Sequence, residues 1–461
     1  MKTTLKFWML LVVVLSIVSC TDNNDYPTHT AYATLEEALA SNALFSTIEE
    51  NPDPITMKKK ETGYLTYQSQ YSMFFHQAVN HNQPDGDTFQ QRVCILFRGF
   101  DRPTILVTEG YEWRRFGDAE DIGMNLNANM VHVEHRNFGK SYNQDQGKWE
   151  YETGAQASAD LHAVYQALKS IFKGKWMSTG TSKNGETSMD YAYYYPNDMD
   201  LAAAFCSPFI VSLDDKCFGE YLFNEASTEE VRDLMKKSIR SALENGEEGL
   251  YQQVCKLFEQ NNKPVPSFTE YVFNIFDSFF TLFQYTLPSE VQGNLVLTWN
   301  QHQEGDEAAK YAEQFANTIC ESILSNRSMA HYTYRVDCAK EQGFPNPGYD
   351  YFADLLEGTS FKAGDVWKFL LNEEDQWLPQ YYDNSLRLDM RENFFMNSTM
   401  PLLFFYSHDD PWSAAQPDKL GPNAKKVINP IGIHCPIINE TEYCPEDIKQ
   451  EVMDFISTYI Y

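Results

Sequence analysis

Basic residues are scarce in this sequence. Thirty-six lysines and arginines stand against 65 aspartates and glutamates in 461 residues, which gives a formal net charge of −29 at pH 7. A surface this acidic repels phosphate backbones, so nucleic acid is not an expected partner. Glycine and proline are also few, 23 and 20 residues, and no internal repeat is present, which excludes collagen-like and low-complexity chains. With 43% hydrophobic residues the chain can bury a sizeable core.

The nine cysteines contain no C-x-x-C spacing, which disfavours a structural zinc site. One of them is Cys20, and the other eight form an even number that permits disulfides in an exported protein. Several lie in apolar runs, however, such as Cys94 and Cys206, where reduced buried thiols are equally expected. The pairing stays open, and neither a metal nor a cofactor is expected.

The N-terminal segment resembles an export signal. The apolar run Phe7 to Val18 follows two lysines and is too short for a permanent membrane helix. It ends in Ile17-Val18-Ser19-Cys20, which is similar to a bacterial lipobox. We predict a signal peptide over 1–19 and a lipidated Cys20 with its tether over 20–50. The expected location is the bacterial cell envelope, where the protein would be lipid-anchored to either the periplasmic or the outer face of the outer membrane. An ordinary signal peptide with a coincidental cysteine is the alternative.

Strand and helix patterns alternate along the next part of the chain. Compact apolar strands are predicted at Phe89 to Phe97, Pro103 to Thr108, Asn129 to Glu134, Trp176 to Gly180 and Leu201 to Phe209, with amphipathic helices before and after the fourth. This alternation predicts parallel strands with right-handed crossovers, an α/β layered sheet.

A long helical pattern interrupts the strands from about Phe218 to Asn397. Strands return at Pro401 to Tyr406 and Lys425 to Asn429, and a last helix follows Pro445. We therefore predict a sheet domain in two segments, 51–217 and 398–461, with a helical cap over 218–397 inserted between them.

The candidate nucleophile is Ser182, within Gly180-Thr181-Ser182-Lys183-Asn184-Gly185, where a strand meets a helix. A sharp turn in that position exposes the serine oxygen, and small neighbours let strand and helix approach. Taken alone, such a segment is also found as an ordinary Gly-rich turn. Its meaning depends on whether a base and an acid follow.

Both partners follow in the order that sheet hydrolases use, serine, acid, histidine. The strand at Pro401 to Tyr406 leads to Asp410, and the strand before Asn429 leads to His434. We predict Asp410 as the orienting acid and His434 as the base, with Asp409 as the rival acid.

These residues resemble the secreted bacterial serine peptidases that include tripeptidyl and prolyl tri/tetrapeptidyl aminopeptidases. The matching blocks lie in order along the chain: Asp101-Arg102-Pro103-Thr104, Glu109-Gly110-Tyr111, Val133-Glu134-His135-Arg136-Asn137-Phe138, Gly180-Thr181-Ser182-Lys183, Tyr195-Pro196-Asn197-Asp198-Met199-Asp200 and Asp410-Pro411-Trp412. The resemblance implies an α/β-hydrolase fold with a helical cap and a triad of Ser182, Asp410 and His434. It also implies release of short peptides from free N-termini, often after proline.

The resemblance sets further expectations about the site. The backbone N–H groups of Lys183 and Tyr111 are expected to bind the oxyanion, and Glu134 is a candidate for the substrate ammonium, with an ion pair to an arginine as the alternative. Residues 268–285 hold eight aromatic side chains that either wall a proline-sized pocket or pack as core. The family tends to have glycine where this chain has Asn184, so a distorted turn is also considered.

Two other functions share these features. A lipase or carboxylesterase uses the same triad, and a non-catalytic lipoprotein that binds peptides would keep the fold. A requirement for a free amine on the substrate separates the peptidase from the esterase. Reaction of Ser182 with a fluorophosphonate separates both from the binding protein. The oligomeric state is left open.

Overall fold

A computed structural model of the chain describes residues 32–51, 56–59, 63–67, 69–113, 119–141, 149–286, 290–291, 306–328, 332–434 and 438–461. The strands are β1 (Phe45–Asn51), β2 (Thr56–Lys59), β3 (Gly63–Thr66), β4 (Ser69–Ala78), β5 (Thr88–Phe97), β6 (Thr104–Thr108), β7 (Asn129–Val133), β8 (Trp176–Thr181), β9 (Leu201–Phe205), β10 (Leu402–Ser407) and β11 (Ala424–Asn429).

The described α-helices are α1 (Leu35–Ala40), α2 (Ala119–Leu126), α3 (Gly154–Leu168), α4 (Lys183–Tyr194), α5 (Cys217–Asn224), α6 (Glu229–Leu243), α7 (Leu250–Gln260), α8 (Phe268–Tyr285), α9 (Asp306–Arg327), α10 (Tyr332–Asp337), α11 (Ala353–Leu356), α12 (Trp367–Leu370), α13 (Ser385–Asp389), α14 (Phe395–Asn397) and α15 (Glu446–Ile460). None of these described helices is both long and apolar enough to cross a bilayer.

Nine strands form one sheet in the order β1-β4-β5-β7-β6-β8-β9-β10-β11, and β2 pairs with β3 in a separate ribbon. The first four strands in this order pair antiparallel, and β7 to β11 pair parallel. From β4 onward the order is that of an α/β-hydrolase, with its second strand antiparallel. The predicted fold class is confirmed.

The sheet is buried on both faces because its strands alternate side chains between two hydrophobic clusters. In β10, Leu402, Phe404 and Tyr406 pack in the cluster that includes α1, α3 and α4. Leu403 and Phe405 pack in the opposite cluster, against α2 and α15. Parallel strands therefore end together at one edge of a layered core, and loops from that edge carry the site.

Between β9 and β10 every described element is a helix. Helices α5 to α9 contribute to their own hydrophobic cluster. Side chains cap the N-termini of α6 and α8: Thr228 accepts from the Val231 N–H, and Ser267 accepts from the Glu270 N–H.

The predicted tether over 20–50 is too long. Leu35–Ala40 is helical, and Phe45–Asn51 pairs antiparallel with β4. Leu35, Ala38, Leu39 and Phe45 are buried in the main core, so burial of these apolar side chains fixes the segment to the sheet. The signal peptide and Cys20 lie outside the described residues.

Candidate active site

The turn from β8 into α4 holds Ser182 in a strained backbone conformation. Its φ is +59° and its ψ is −133°, a region that non-glycine residues rarely occupy. The Ser182 N–H donates to the Phe205 carbonyl at 2.8 Å, and the Ser207 hydroxyl donates to the Ser182 carbonyl at 2.8 Å. Such strain costs about 1–3 kcal/mol and persists only where surrounding contacts impose it. The strand-to-helix turn predicted at Ser182 is present.

Two glycines allow α4 to approach the sheet. A Cβ atom on Gly185 would lie 2.0 Å from Ser207 Oγ and 2.6 Å from the Gly180 carbonyl oxygen. A Cβ atom on Gly180 would lie 2.4 Å from the Asn184 carbonyl carbon. Both positions therefore exclude any larger residue, because real Cβ atoms do not come this close to backbone.

Asn184 lies with its backbone and Cβ atom against Gly180 of β8, next to the contact that Gly185 makes with Ser207. Its side chain points to the end of β6, where Oδ1 accepts from the Gly110 N–H at 2.7 Å and Nδ2 donates to Glu109 at 2.8 Å. Glu109 also bonds Nδ1 of His132 at 2.9 Å. Asn184 thus ties the nucleophile helix to the Gly110 turn, and the turn at Ser182 keeps its strained geometry.

Asp410 and His434 form a buried pair. Nδ1 of His434 lies 2.9 Å from Asp410 Oδ2, and the two residues are 2% and 0% exposed, respectively. A carboxylate only accepts, so Nδ1 carries the proton and Nε2 is left as a base. Nε2 is buried and has no hydrogen-bond partner among the described residues. The other Asp410 oxygen accepts from the Trp412 N–H at 3.0 Å.

Strand order brings Ser182 to the same edge of the sheet as this pair. β8 and β10 both border β9, and their carboxyl ends lead to Ser182 and Asp410. Among the described contacts no hydrogen bond joins Ser182 to His434. The cap also reaches the site, since the Gln284 carbonyl in α8 accepts the His434 N–H at 3.0 Å.

Asp409, the rival acid, faces away from His434. Its Oδ1 accepts from the Ser227 N–H at 3.1 Å and lies 2.6 Å from Nδ1 of His408. Cys206, which sequence reasoning missed, lies closer: its Sγ and one ligand atom each of Asp410 and His434 lie within 4.8 Å of one another. No disulfide joins any two of the seven described cysteines, Cys94, Cys206, Cys217, Cys255, Cys320, Cys338 and Cys444.

Lys183 and Tyr111 flank the nucleophile. The Lys183 N–H is the first of α4, and such groups have no acceptor within their own helix. The Lys183 side chain is buried, donating to the Gly110 carbonyl at 2.7 Å and pairing with Asp337 at 3.1 Å. The Tyr111 hydroxyl is hydrogen-bonded to Ser182, a contact that the sequence did not indicate. Burial raises the pKa of Tyr111 well above its usual range, so the hydroxyl stays protonated.

The Glu134 carboxylate already accepts several hydrogen bonds from neighbouring loops. Its carboxylate accepts from the Trp113 N–H at 3.1 Å and from the N–H and hydroxyl of Ser141, both at 2.8 Å. Arg92 lies 3.6 Å from it, which is the arginine pair considered as the alternative. Burial raises the pKa of Glu134, and these contacts oppose that rise. Its role in binding a substrate ammonium stays a prediction.

Two cavities adjoin these residues. The first, of about 230 Å³, is lined by Asp277, Phe280, Tyr334 and Trp412, among others. The Trp412 ring lies 5.8 Å from the His434 ring, and the Tyr334 ring lies 5.6 Å from that of Tyr111. The cavity therefore adjoins neighbours of both Ser182 and His434.

The second cavity, of about 560 Å³, is more polar. Its acidic residues are Glu112, Glu374 and Asp375, and Phe138 forms part of its wall. The Phe138 ring packs edge-on against Tyr111 with ring centroids 5.8 Å apart.

Comparison with known proteins shows which family this chain resembles. The model of the PS-10 peptidase S37 family matches residues 46–254. The prolyl tri/tetrapeptidyl aminopeptidase of Streptomyces mobaraensis is 25% identical over 373 residues, 76% of this chain and 71% of that protein. Over these residues the chain is similar to peptidase family S37. The protein is a serine hydrolase similar to tripeptidyl and prolyl aminopeptidases.

Solved structures resemble this chain at low identity. The proline iminopeptidase of Mycobacterium smegmatis is 12% identical, with a TM-score of 0.37 over 84% of this chain and 98% of its own. A thermophilic esterase of Thermogutta terrifontis is 10% identical, with a TM-score of 0.30 over 89% of this chain and 100% of its own.

Proposed function

We propose that this protein hydrolyses peptides through an acyl-enzyme formed on Ser182. The observation that carries the proposal is the buried bond of 2.9 Å between Asp410 and His434, beside a serine held on a strained turn. In the first step Ser182 Oγ attacks the scissile carbonyl carbon while His434 Nε2 takes the hydroxyl proton. Asp410 keeps the imidazole in the required tautomer and stabilises the imidazolium that forms.

The negative charge that develops on the carbonyl oxygen needs donors. The backbone N–H groups of Lys183 and Tyr111 take this role in the proposal, since Asn184 already accepts from the Gly110 N–H. His434 then returns its proton to the leaving amine as the C–N bond breaks. Water attacks the acyl-enzyme with His434 as base, which releases the carboxylic acid and restores Ser182.

The proposed substrates are peptides with a free N-terminus, cleaved three or four residues in and preferentially after proline. The name of the Streptomyces relative supports this class. The cavity beside Trp412 and Phe280 also supports it, because an apolar aromatic wall accommodates a proline ring.

The proposed location is the bacterial cell envelope, with Cys20 as a lipid anchor in the outer membrane. The lipobox-like segment and the apolar run before it support export. Cys20→Ala tests the anchor: fractionation of expressing cells is expected to move the protein out of the membrane fraction. Equal membrane association of both proteins would contradict the anchor and leave the peptidase proposal intact.

The test of activity is mass spectrometry of peptide products, using protein that lacks residues 1–20. Matched peptides carry a free or acetylated N-terminus and proline at position two, three or four. Short N-terminal fragments from free-amine peptides alone, absent with Ser182→Ala, are expected. Cleavage of simple esters without any peptide cleavage would favour an esterase. No reaction with a fluorophosphonate would favour a binding protein.

A further inference from the structure

The side chain of Lys183 is buried, although the residue directly follows the nucleophile. Lys183 is the first residue of α4 and is 1% exposed. Placing an ammonium inside a protein costs free energy unless partners compensate it. The cation lies among acids: burial raises the pKa of Glu186 and of Glu152, and the charge of Lys183 opposes both rises. The proposed mechanism uses only the backbone N–H of Lys183, so the buried ammonium calls for a separate explanation.

Direct contacts hold the Lys183 ammonium in one place. Asp337, the last residue of α10 in the cap, lies with Oδ2 3.1 Å from Nζ. Nζ also lies 5.7 Å from the centre of the Tyr111 ring and 5.3 Å from that of the Phe138 ring, and the face of an aromatic ring attracts a cation. An ion pair and two aromatic rings therefore keep the ammonium beside the nucleophile turn.

The ammonium donates to a peptide bond that the proposed mechanism uses. Nζ lies 2.7 Å from the Gly110 carbonyl oxygen, and the N–H of the same peptide unit belongs to Tyr111, one of the two proposed oxyanion donors. In a planar trans peptide the C=O and the N–H point in opposite directions, so a fixed donor on the oxygen also fixes the direction of the N–H. Because this donor is charged, the bond is strong and polarises the peptide, which makes the Tyr111 N–H a better donor.

The Gly110 turn packs directly against the start of α4. A Cβ atom on Gly110 would lie 2.7 Å from Lys183 Cγ and 2.8 Å from the Lys183 carbonyl carbon, so a larger residue is excluded here. The Gly110 N–H donates to Asn184 at 2.7 Å, and the Tyr111 carbonyl accepts the His135 N–H at 3.2 Å. These two bonds engage the peptide units on either side of the Gly110–Tyr111 unit, and Lys183 engages the unit between them.

We propose that the Lys183 ammonium orients and polarises the Gly110–Tyr111 peptide, so that the Tyr111 N–H meets the oxyanion as a preorganised donor, and that Asp337 of the cap holds the ammonium in place. The inference rests on the proposed function and deepens it. In this role Lys183 is a positioning residue, because it acts through the peptide bond and not on the substrate. The end of α10 thereby supports the oxyanion site without supplying a donor to it.

The test compares Lys183→Met with Lys340→Met in protein that lacks residues 1–20. Methionine keeps an unbranched stem and removes the ammonium. Lys340 is the matched control because its ammonium also joins the cap to backbone carbonyls of the sheet domain, those of Trp149 and Glu152. The assays are hydrolysis of 4-nitrophenyl acetate and inhibition by benzyl trifluoromethyl ketone and by the corresponding alcohol. The ketone forms an adduct with serine that carries an oxyanion, whereas the alcohol binds without one.

Lys183→Met should lower kcat for the ester about 10- to 100-fold with KM within about three-fold. The loss is smaller than the ~10²–10³-fold that removal of an oxyanion donor costs, because here the donor is misoriented and not removed. Inhibition by the ketone should weaken by a similar factor, while binding of the alcohol stays within about two-fold. A purely structural role would weaken both inhibitors alike. Lys340→Met should keep kcat and both inhibition constants within about two-fold.

A double variant keeps the test decisive if Lys183→Met fails to fold. Removing one partner of a buried ion pair leaves an uncompensated charge, whereas replacing both partners is tolerated better. Lys183→Met combined with Asp337→Asn should therefore be at least as stable as Lys183→Met in urea unfolding. It should show the same loss of kcat as the single variant, because Asp337 acts through Lys183.

The outcomes separate this inference from the function on which it rests. The inference is wrong if Lys183→Met, or the double variant in its place, lowers kcat by less than about three-fold, or if the ketone and the alcohol lose affinity equally. Equal losses in Lys340→Met would also overturn it. If the unaltered enzyme hydrolyses the ester but no peptide, the proposed peptidase function fails while the inference stands. If Ser182→Ala hydrolyses the ester as fast as the unaltered enzyme, the acyl-enzyme and the inference fail together.

Discussion

Glu186 should make the stability of this enzyme depend on pH. It lies in α4, one turn after Ser182, and is buried. Arg387 Nη2 donates to its carboxylate at 3.1 Å and also pairs with Asp190, so two acids share one guanidinium. Burial is the largest cause that raises the pKa of Glu186 to about 7, and the Asp190 charge adds to it while Arg387 and Lys183 oppose it.

The direction of the change in stability with pH follows from the number of protons that the folded and unfolded states bind. Between about pH 4.5 and pH 7 the folded protein keeps a proton on Glu186, whereas the unfolded chain, in which this pKa is near 4.5, has released it. The stabilising contribution is therefore complete below about pH 4.5 and is lost as the pH rises through 7. The rise in pKa from 4.5 to about 7 corresponds to about 3 kcal/mol, at about 1.4 kcal/mol per pH unit.

Glu186→Gln removes this titration. Relative to the variant, the unaltered enzyme should lose about 3 kcal/mol of unfolding free energy between pH 4.5 and pH 8. Urea unfolding followed by tryptophan fluorescence at several pH values measures the difference. Glu373→Gln, at an exposed position, is the matched control and should follow the unaltered enzyme. Parallel stability curves for Glu186→Gln and the unaltered enzyme would refute the reasoning.

Three further predictions concern the nucleophile turn and its partners. Gly185→Ala should destabilise the protein by about 1–3 kcal/mol in thermal melts, because its Cβ atom would lie 2.0 Å from Ser207 Oγ; Gly364→Ala, whose Cβ atom would meet nothing within 4 Å, should be near neutral in the same melts. Asp410→Asn should lower kcat by about 10⁴-fold with little change in KM, since the imidazole loses its orienting acceptor; a loss below ten-fold in steady-state kinetics would argue against the triad. Asn184→Ala should cost about 1–2 kcal/mol in urea unfolding by releasing the Gly110 N–H and Glu109, and an unchanged midpoint would show that these bonds contribute nothing net.

The order of strands and the positions of the three candidate catalytic residues could be predicted from the sequence because they follow local patterns. Short apolar runs ended by turn residues mark β6 to β11, and each predicted residue follows one such run. The pairing of β1 and β4 at the sheet edge was missed. β4 does alternate buried and partly exposed residues, a signal of period two, but its partner β1 has a shift in register between Ser46 and Glu49 that obscures the pattern.

The contacts of Glu134 could not be predicted in the same way, because whether a carboxylate is already hydrogen-bonded depends on loops distant in sequence. Glu134 follows a core strand, as many site residues do, yet Trp113 and Ser141 bond its oxygens. The first cavity carries no sequence signal either, because Asp277, Tyr334 and Trp412, which line it, come from separate segments.

The aromatic residues of α8 were expected either to wall a pocket or to pack as core, and the helix does both. Phe276, Phe279 and Phe283 face the hydrophobic cluster of the cap, whereas Phe273 and Phe280 face the cavity. Because its C-terminal end also holds the His434 loop through Gln284, packing of the first face fixes the position of the second. A large-to-small substitution at Phe276 should therefore do more than destabilise the protein: by letting α8 shift, it should broaden the distribution of cleavage positions along the peptide.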